Sequence, residues 1–506
     1  MTMGLLLAKH GIASTIYEAK PERDPIGSKA LCMQRDVLDI LDRVGCGRPL
    51  VAEGVTWQMG RTYYRDSELF QITFHDAGLS AFPPFVNVGQ DRTEFHLERA
   101  VTAEPLIEMH YASPVTHVSE HATGVEVAAG SEAPGRFDYL VGADGARSTI
   151  RRLLGVDFPG RSFNEQFLIC DIRAQLPFEN ERRFFFDPGW NPDRQVLIHP
   201  QADSVWRIDW QVSPDYDLEG DNADGGLDAR IRQIVGEQDY EIVWMSVYRF
   251  HERIAGAFRA GRSFLAGDAA HIVSPFGARG LNSGVQDADN LAWKMAFVLN
   301  GWADDPLLDS YEIERRAAAE ENLRVAGATM EFLVPPTEEG WERRRRTLEE
   351  AVGNPRAREM VDSGRLAEPY WYTESPLTTI GIHDGDAMKT SPGAPRPIVP
   401  GVLCPDAPCA VAGREAVARI RELFGHGFTL LVGGDADWAI AAAAERSDAP
   451  VAGYDLTVIE PAGVLRDALE LAIGEAALIR PDGHIAALGL ADPIAVTAAV
   501  STALAR

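Results

Sequence analysis

The sequence predicts a mixed α/β fold, and three stretches carry that prediction. In 138–151, DYLVGADGARSTIR, an apolar run ends at Asp144-Gly145 and a short helix follows. In 261–295, GRSFLAGDAAHIVSPFGARGLNSGVQDADNLAWKM, a strand, a carboxylate, a glycine-rich turn and a helix start succeed one another. Between them, from about 164 to 258, the pattern turns β-rich and dense in aromatic residues. Short strands feeding glycine turns and helices make an open sheet of the kind that places ligands at the carboxyl ends of its strands.

Taken in order, 4–18, GLLLAKHGIASTIYE, reads as the second half of an amphipathic helix, a stop at Gly11 and a strand over 14–17 that ends in the acid Glu18. A loop with Pro21, Pro25 and Gly27 leads to a helix from Arg35 through Val37, Leu38, Ile40 and Leu41 to a stop at Gly45. A further helix opens with QDRTEFHLERA at Gln90. Alternating apolar residues over 115–127 and the run 139–143 predict strands, the second feeding Asp144-Gly145. Arg147 and Ser148 start a short helix, so Asp144 has an alternative role as a helix cap.

The clearest strands of the β-rich stretch are 167–172, 183–186, 195–199 and 205–212. Phe184, Phe185, Phe186, Trp190, Trp206 and Trp210 lie on them or between them and suit an apolar aromatic pocket, although rings at alternating strand positions more often form core. A strand over 263–266 then ends at Gly267-Asp268. Gly277, Gly280 and Gly284 permit close backbone approach, and the helix through Val285, Ala288, Leu291, Ala292, Met295 and Ala296 points its first amides at any anion. The bland alternative is a strand-turn-helix with a capping Asp. Helical sequence continues over 301–333. The four arginines 343–346 predict a solvated helix face, and 391–401 reads as a Pro/Gly linker. Beyond it come a strand at 428–432, a helix at about 438–443, a strand at 454–459 and a hairpin over 477–487.

At 506 residues the chain has room for two to four domains. Its net charge of −27 repels nucleic acid and anionic membrane alike. No apolar run approaches a membrane span and no signal peptide opens the chain, so the expected location is cytoplasmic. Cys32, Cys46, Cys170, Cys404 and Cys409 are too scattered for a disulfide framework, and no metal-ligand spacing is present.

The two glycine motifs together resemble the single-component FAD-dependent aromatic hydroxylases related to para-hydroxybenzoate hydroxylase and phenol hydroxylase. The 261–295 run looks like the family's second flavin motif, Gly-Asp, and 138–151 is similar to its Asp-Gly motif. Leu307-Leu308, Tyr311 and Arg315-Arg316 match a further Leu-Leu, Tyr, Glu-Arg-Arg stretch. The resemblance runs from Met1 to about Glu321 and more loosely beyond. It implies a Rossmann-like FAD-binding domain (1–163 and 259–390) interrupted by a β-rich substrate domain (164–258), then a thioredoxin-like C-terminal domain (391–506) without a redox cysteine pair. It implies FAD as cofactor, NAD(P)H as co-substrate, and hydroxylation of a small phenolic molecule by O2 through a flavin hydroperoxide. A homodimer is compatible with it.

Residue by residue, the resemblance gives Glu18 to the adenosine ribose and Asp268, after Gly267, to a ribose or ribitol hydroxyl. Asp144 and Gly145 meet the ribityl chain and the nicotinamide nucleotide. Lys29-Ala30 and Arg35 stand where the family has Arg-Ala and Arg against the flavin, and Gln90 contacts the isoalloxazine side. Glu94 serves only as a helix-start residue. Pro275 and Phe276 face the ring, and Gly280, Leu281 and Asn282 offer amides to its pyrimidine edge. Arg35, Arg147, Arg151 and Arg152 are the nearby cations for anionic ligands. No covalent catalytic residue is needed and none is assigned. His199 and His271 are acid/base candidates beside a structural reading of each.

One departure is plain: the first strand and the G-x-G-x-x-G turn expected before the Gly4 helix are not in the sequence. The expectation is that they lie upstream, or that the chain is a truncated, impaired remnant in which Leu5, Leu6 and Ile16 lack a central partner. A same-fold flavoenzyme of other chemistry, such as a halogenase or an isoprenoid reductase, is the remaining alternative; the halogenase W-x-W-x-I motif is absent.

Overall fold

The computed structural model describes residues 1–23, 30–74, 78, 80–131, 133–379, 397–445 and 448–506. The helix Thr2–Lys9 buries Leu5, Leu6 and Leu7 and stops where Gly11 takes φ +75°, a left-handed conformation that glycine adopts without a Cβ clash. The strand Ser14–Tyr17 then pairs in parallel with Ile107–His110. A second parallel pair, Leu140–Gly142 with Ser263–Leu265, forms a separate sheet edged by Arg259–Ala260. The long helix Gly280–Leu299 packs against both Thr2–Lys9 and Arg35–Arg43. One core therefore unites Leu5, Leu38, Leu41, Phe264, Leu265 and Leu291. Leu5 and Leu6, expected to lack a partner, are 5% and 4% exposed because these helices cover them; Ile16 is half-buried.

The largest sheet has eight strands in the order His271–Ile272, Tyr240–Ile254, Gly160–Ala174, Val205–Val212, Gln195–Pro200, Arg182–Phe186, Met59–Tyr64 and Ser67–Thr73. It draws on more chain than the 164–258 stretch. Met59–Tyr64 joins in parallel beside Arg182–Phe186, a long-range pairing that no local pattern announces.

The two faces of this sheet differ. On the back, Leu168, Cys170, Ile172, Val196, Ile198, Ile208 and Trp210 pack against Leu227, Ile231 and Val235 of the helix Gly226–Val235. Trp206 and Trp210 are thus core residues rather than pocket walls, and Phe185 and Trp190 pack with them on that side. The front meets the turn before helix Gly280–Leu299: the Phe276 ring lies 5.6 Å from Phe167 and 6.0 Å from Phe250, centroid to centroid.

Helix Asp309–Leu333 follows, then Glu338–Gly353 with the four arginines. Three of the four are exposed as expected, but Arg344 is buried, its guanidinium 5.3 Å over the Phe186 ring and 5.2 Å over Trp341. Burial pushes its pKa down to about 10.

The C-terminal sheet has the order Val451–Asp455, Phe428–Val432, Ala476–Ile479 and Ile485–Leu490; the first two strands are parallel and the rest antiparallel. Helices Asp437–Ala444 and Pro493–Ala503 share its core. The strand expected over 454–459 ends at Asp455, whose carboxylate accepts a 2.8 Å hydrogen bond from the Thr457 amide and starts the helix Leu456–Ile459. Much of the expected 391–401 linker lies outside the described residues. All five cysteines are free thiols, and no described helix is long and apolar enough to cross a membrane.

Candidate functional site

The Asp-Gly and Gly-Asp motifs emerge side by side because their strands are parallel and in register, Gly142 opposite Leu265. Arg151 ties them together. Its Nη1 donates to the Ala269 carbonyl at 2.7 Å and its Nη2 to the Ala146 carbonyl at 3.0 Å, with the guanidinium 3.7 Å over Phe158. Asp144 is exposed, and its carboxylate accepts from the Ser148 hydroxyl and from the amides of Thr149 (2.6 Å) and Ile150 (3.0 Å). These are the contacts of the capping alternative. Gly145 beside it takes φ +78°.

At the second motif Gly267 has φ +59°, and a Cβ on Gly284 would sit 3.4 Å from its Cα, so turn and helix touch backbone to backbone. Asp268 is exposed beyond it, as is Pro275. The turn is held from beneath by Asp287, whose Oδ2 accepts from the Gly267 amide (2.8 Å) and from His271 Nε2 (2.7 Å), while its Oδ1 accepts from Arg315 Nε (2.6 Å). Burial works against ionising Asp287, but His271 and Arg315 outweigh it and hold its pKa well below the usual carboxylate range. His271 is thus a buried partner of a carboxylate, its ring stacked 5.9 Å from Phe258, which is the structural reading of that residue.

Gly280, Leu281 and Asn282 form the first turn of their helix, where amides have no intrahelical acceptor and no acidic side chain intrudes. The Asn282 side chain accepts from the Gln34 amide (3.1 Å) and donates to the Cys32 carbonyl (2.9 Å), fixing this turn beside the helix that Arg35 begins. Gln90 opens its helix close by, its Oε1 accepting from the Ala30 amide at 3.3 Å. Arg35 donates to Ser80 Oγ at 3.0 Å. Lys29 lies outside the described residues. Glu18 stands apart at the end of the other parallel pair, accepting from the Lys20 amide at 2.9 Å. The arrangement offers anion donors at a helix N-terminus, hydroxyl acceptors at strand ends and glycines where a ligand must approach the backbone.

The front of the eight-stranded sheet carries polar residues that the sequence reading left unassigned. Strand register aligns Trp244, Asp171, Arg207 and His199 in one row and Ser246, Ile169, Asp209 and Leu197 in the next, the latter continuing to Phe184. Arg207 grips Asp171 through two hydrogen bonds of 2.8 Å. Arg182 is buried yet makes no ion pair among the described residues; its Nη2 donates to the Ser363 carbonyl, and burial pushes its pKa down to about 10. Asp209 Oδ1 and His199 Nδ1 are buried without a hydrogen-bond partner among the described residues. Burial, with Arg182 and Arg207 nearby, lowers the His199 pKa well below its usual value, so this histidine is neutral. The signal was present in 205–212, where the polar residues Arg207, Asp209 and Gln211 alternate with Trp206, Ile208 and Trp210 on a central strand, Arg207 and Gln211 being buried.

A family model described as FAD binding domain matches residues 1–326, and one described as aromatic-ring hydroxylase, C-terminal, matches residues 398–506. The chain is 36% identical over 247 residues to a 3-(3-hydroxy-phenyl)propionate/3-hydroxycinnamic acid hydroxylase of Mycobacterium sp. (strain JLS), an alignment covering 47% of this chain and 43% of that protein. It thus spans less than half of that relative's length. To the 6-hydroxy-3-succinoylpyridine 3-monooxygenase HspB of Pseudomonas putida it is 32% identical over 323 residues, 61% of this chain and 80% of that one. The crystal structure of the flavin-dependent monooxygenase PieE in complex with FAD and substrate superposes with a TM-score of 0.82 at 21% identity, covering 99% of this chain and 96% of that one.

Proposed function

Because the chain belongs to the FAD binding domain family, we propose that it is an FAD-dependent monooxygenase that hydroxylates a small phenolic molecule with NAD(P)H and O2. The observation that carries this reading is the front of the eight-stranded sheet, where Phe167, Phe184 and Phe250 surround Phe276 at the mouth of the glycine turn. An aromatic ring lying on that face would sit beside the turn where the flavin ring is assigned.

The donor set fits FAD. We assign Glu18 and Asp268 to accept from ribose or ribityl hydroxyls, with Asp144 joining them once its cap contacts are shared. Gly145 and Gly267 leave the backbone uncovered for close approach. The amides of Gly280, Leu281 and Asn282 would stabilise negative charge on the pyrimidine edge, and Pro275, Arg35 and Gln90 would help hold the flavin. When bound, FAD supplies the redox chemistry by which one atom of dioxygen enters the substrate ring at the expense of NAD(P)H. The side chains bind and orient the ring, exclude water from it and manage the phenolic proton. In a protein of net charge −27, Arg182 is the local cation that lets an anionic substrate approach, since Arg207 is already paired with Asp171. We read the C-terminal domain as a thioredoxin-like scaffold with a packing role: Cys404 and Cys409 are separated by four residues in a Pro-rich turn, and burial pushes their thiols up to about 12 and about 11.

The test is turnover of the FAD-loaded protein with NADH or NADPH over a panel of phenols, including 3-(3-hydroxyphenyl)propionate. A substrate should accelerate NAD(P)H oxidation and O2 uptake together and yield a catechol or quinol bearing one oxygen from labelled O2. NAD(P)H oxidation coupled only to hydrogen peroxide across the panel refutes the proposal.

A further inference from the structure

Resting on that hydroxylase reading, we propose that Asp209 is the catalytic residue that accepts the proton of the substrate's phenolic hydroxyl. Asp209 projects from the central strand Val205–Val212 onto the front face, opposite Leu197 on one neighbouring strand and Ile169 on the other. Both neighbours are buried aliphatic residues. The Asp209 Oδ1 is buried and unpartnered among the described residues, so the carboxyl holds an unused hydrogen-bonding position in the interior. Leaving such an atom unpaired is unfavourable, and a ligand hydroxyl would remove that cost.

The charges around it are suited to a proton that leaves a phenol and does not leave the site. Arg207 on its own strand is engaged by Asp171 of the adjacent strand, whereas Arg182, two strands away, has no carboxylate partner. His199, diagonal to Asp209 at about 7–8 Å on the same face, is neutral, and the other polar neighbours, Gln211 on the same strand and Ser246 in the same row, carry no charge. Burial, with Asp171 adding to it and Arg207 and Arg182 opposing it, raises the Asp209 pKa to about 7. A carboxyl tuned to that value is ionised above neutrality and still basic enough to take a proton.

In the step, the phenol O–H bond breaks, the proton passes to Asp209, and the electron pair stays on the ring oxygen. Asp209 becomes neutral, and the negative charge moves onto the phenolate, where Arg182 can balance it. Electron density at the ring carbons ortho and para to the oxygen rises, which is the activation an electrophilic hydroxylation requires. The active form is the ionised carboxylate, so kcat/KM rises with pH through about 7.

The experiment follows binding of 3-(3-hydroxyphenyl)propionate to the FAD-loaded full chain at about pH 8, where the free phenol, ionising near pH 10 like Tyr, is neutral. Near-ultraviolet difference spectra report phenolate, and a weakly buffered indicator dye reports protons released. Wild type should show the phenolate band with no proton released, because Asp209 retains it. Asp209→Asn should leave the probe neutral or release a full proton for each phenolate formed, lose about 10²–10⁴-fold in kcat/KM and lose the pH dependence near neutrality. Asp209→Glu should restore part of both signals, and near-ultraviolet circular dichroism checks that each variant keeps its packing. An identical phenolate band and proton balance in Asp209→Asn, or a wild type that leaves the probe neutral or unbound, overturns the assignment. Retained phenolate chemistry without any hydroxylated product overturns the hydroxylase reading and leaves Asp209 as the proton acceptor.

Discussion

Glu314→Gln tests whether the buried ion cluster between helix Asp309–Leu333 and the C-terminal domain holds the two together. Glu314 accepts from Lys294 Nζ at 2.6 Å, from Asn290 Nδ2 at 2.6 Å and from Arg480 Nη2 at 2.9 Å, and none of Glu314, Lys294 and Arg480 has a side chain exposed to solvent. Burial opposes its ionisation, but Arg480 and Lys294 prevail and its pKa lies far below the usual carboxylate range. Its stabilising charge is therefore present above the unfolded carboxylate pKa and lost only as pH falls through the depressed folded value. The neutral amide leaves Lys294 and Arg480 facing one another with Asp482 as the remaining counter-charge. Breaking a buried pair in this way costs about 3–5 kcal/mol. With an unfolding entropy of about 2.1 cal/mol/K per residue, a cooperative unit of ~350 residues loses about 4–7 °C in Tm. Burial already lowers the Lys294 pKa to about 8, so the variant should shed that proton earlier and recover stability as pH is raised from 7 to 9. Thermal melts by circular dichroism across that range measure both effects. A Tm drop under about 1 °C, or a larger drop with no recovery at high pH, would refute the account of the cluster.

Two further substitutions address the glycine turn. Asp268→Ala should purify folded but largely colourless, measured as the ratio of flavin to protein absorbance; stoichiometric FAD at unchanged affinity contradicts its assignment. Gly277→Ala should cost about 1–3 kcal/mol and weaken FAD retention, because this residue has φ +91° and a Cβ would lie 2.3 Å from the Arg365 carbonyl oxygen; an unchanged Tm together with unchanged FAD content speaks against a constrained turn.

What was legible in the sequence is what local pattern determines. Period-two alternation located 205–212 to the residue, and the strand-glycine-helix order located both motifs. What was not legible depends on contacts far apart in the chain. Strand Tyr240–Ile254 is half-exposed along its length, so its alternation is blurred by charged residues such as Arg249 and Arg253. Met59–Tyr64 owes its place to pairing with residues more than a hundred positions away. Arg344 shows the same limit: four consecutive arginines look solvated until a helix turn carries one of them over Phe186. For the candidate site, the two glycine motifs were legible because glycine and Asp at strand ends are local signals. Asp209 and Arg182 were passed over because the sheet's facing becomes known only when its strands are paired.

Tertiary pairing also gives helix Gly280–Leu299 a second task. Its first turn carries amides without intrahelical acceptors, and two turns later its buried Asp287 reaches back to the Gly267 amide, so one helix both follows the glycine turn and fixes it. Asp287 is held by Arg315, which also donates to the Tyr372 hydroxyl at 2.8 Å. The Tyr372 ring in turn lies 4.5 Å from His484 of the C-terminal domain. A buried carboxylate is tolerable only while its cationic partners are fixed, because an unpaired charge in the interior costs several kcal/mol. The C-terminal domain therefore packs against the residues that keep Asp287 ionised and in place. That contact couples the C-terminal domain to the glycine turn through Tyr372 and Arg315.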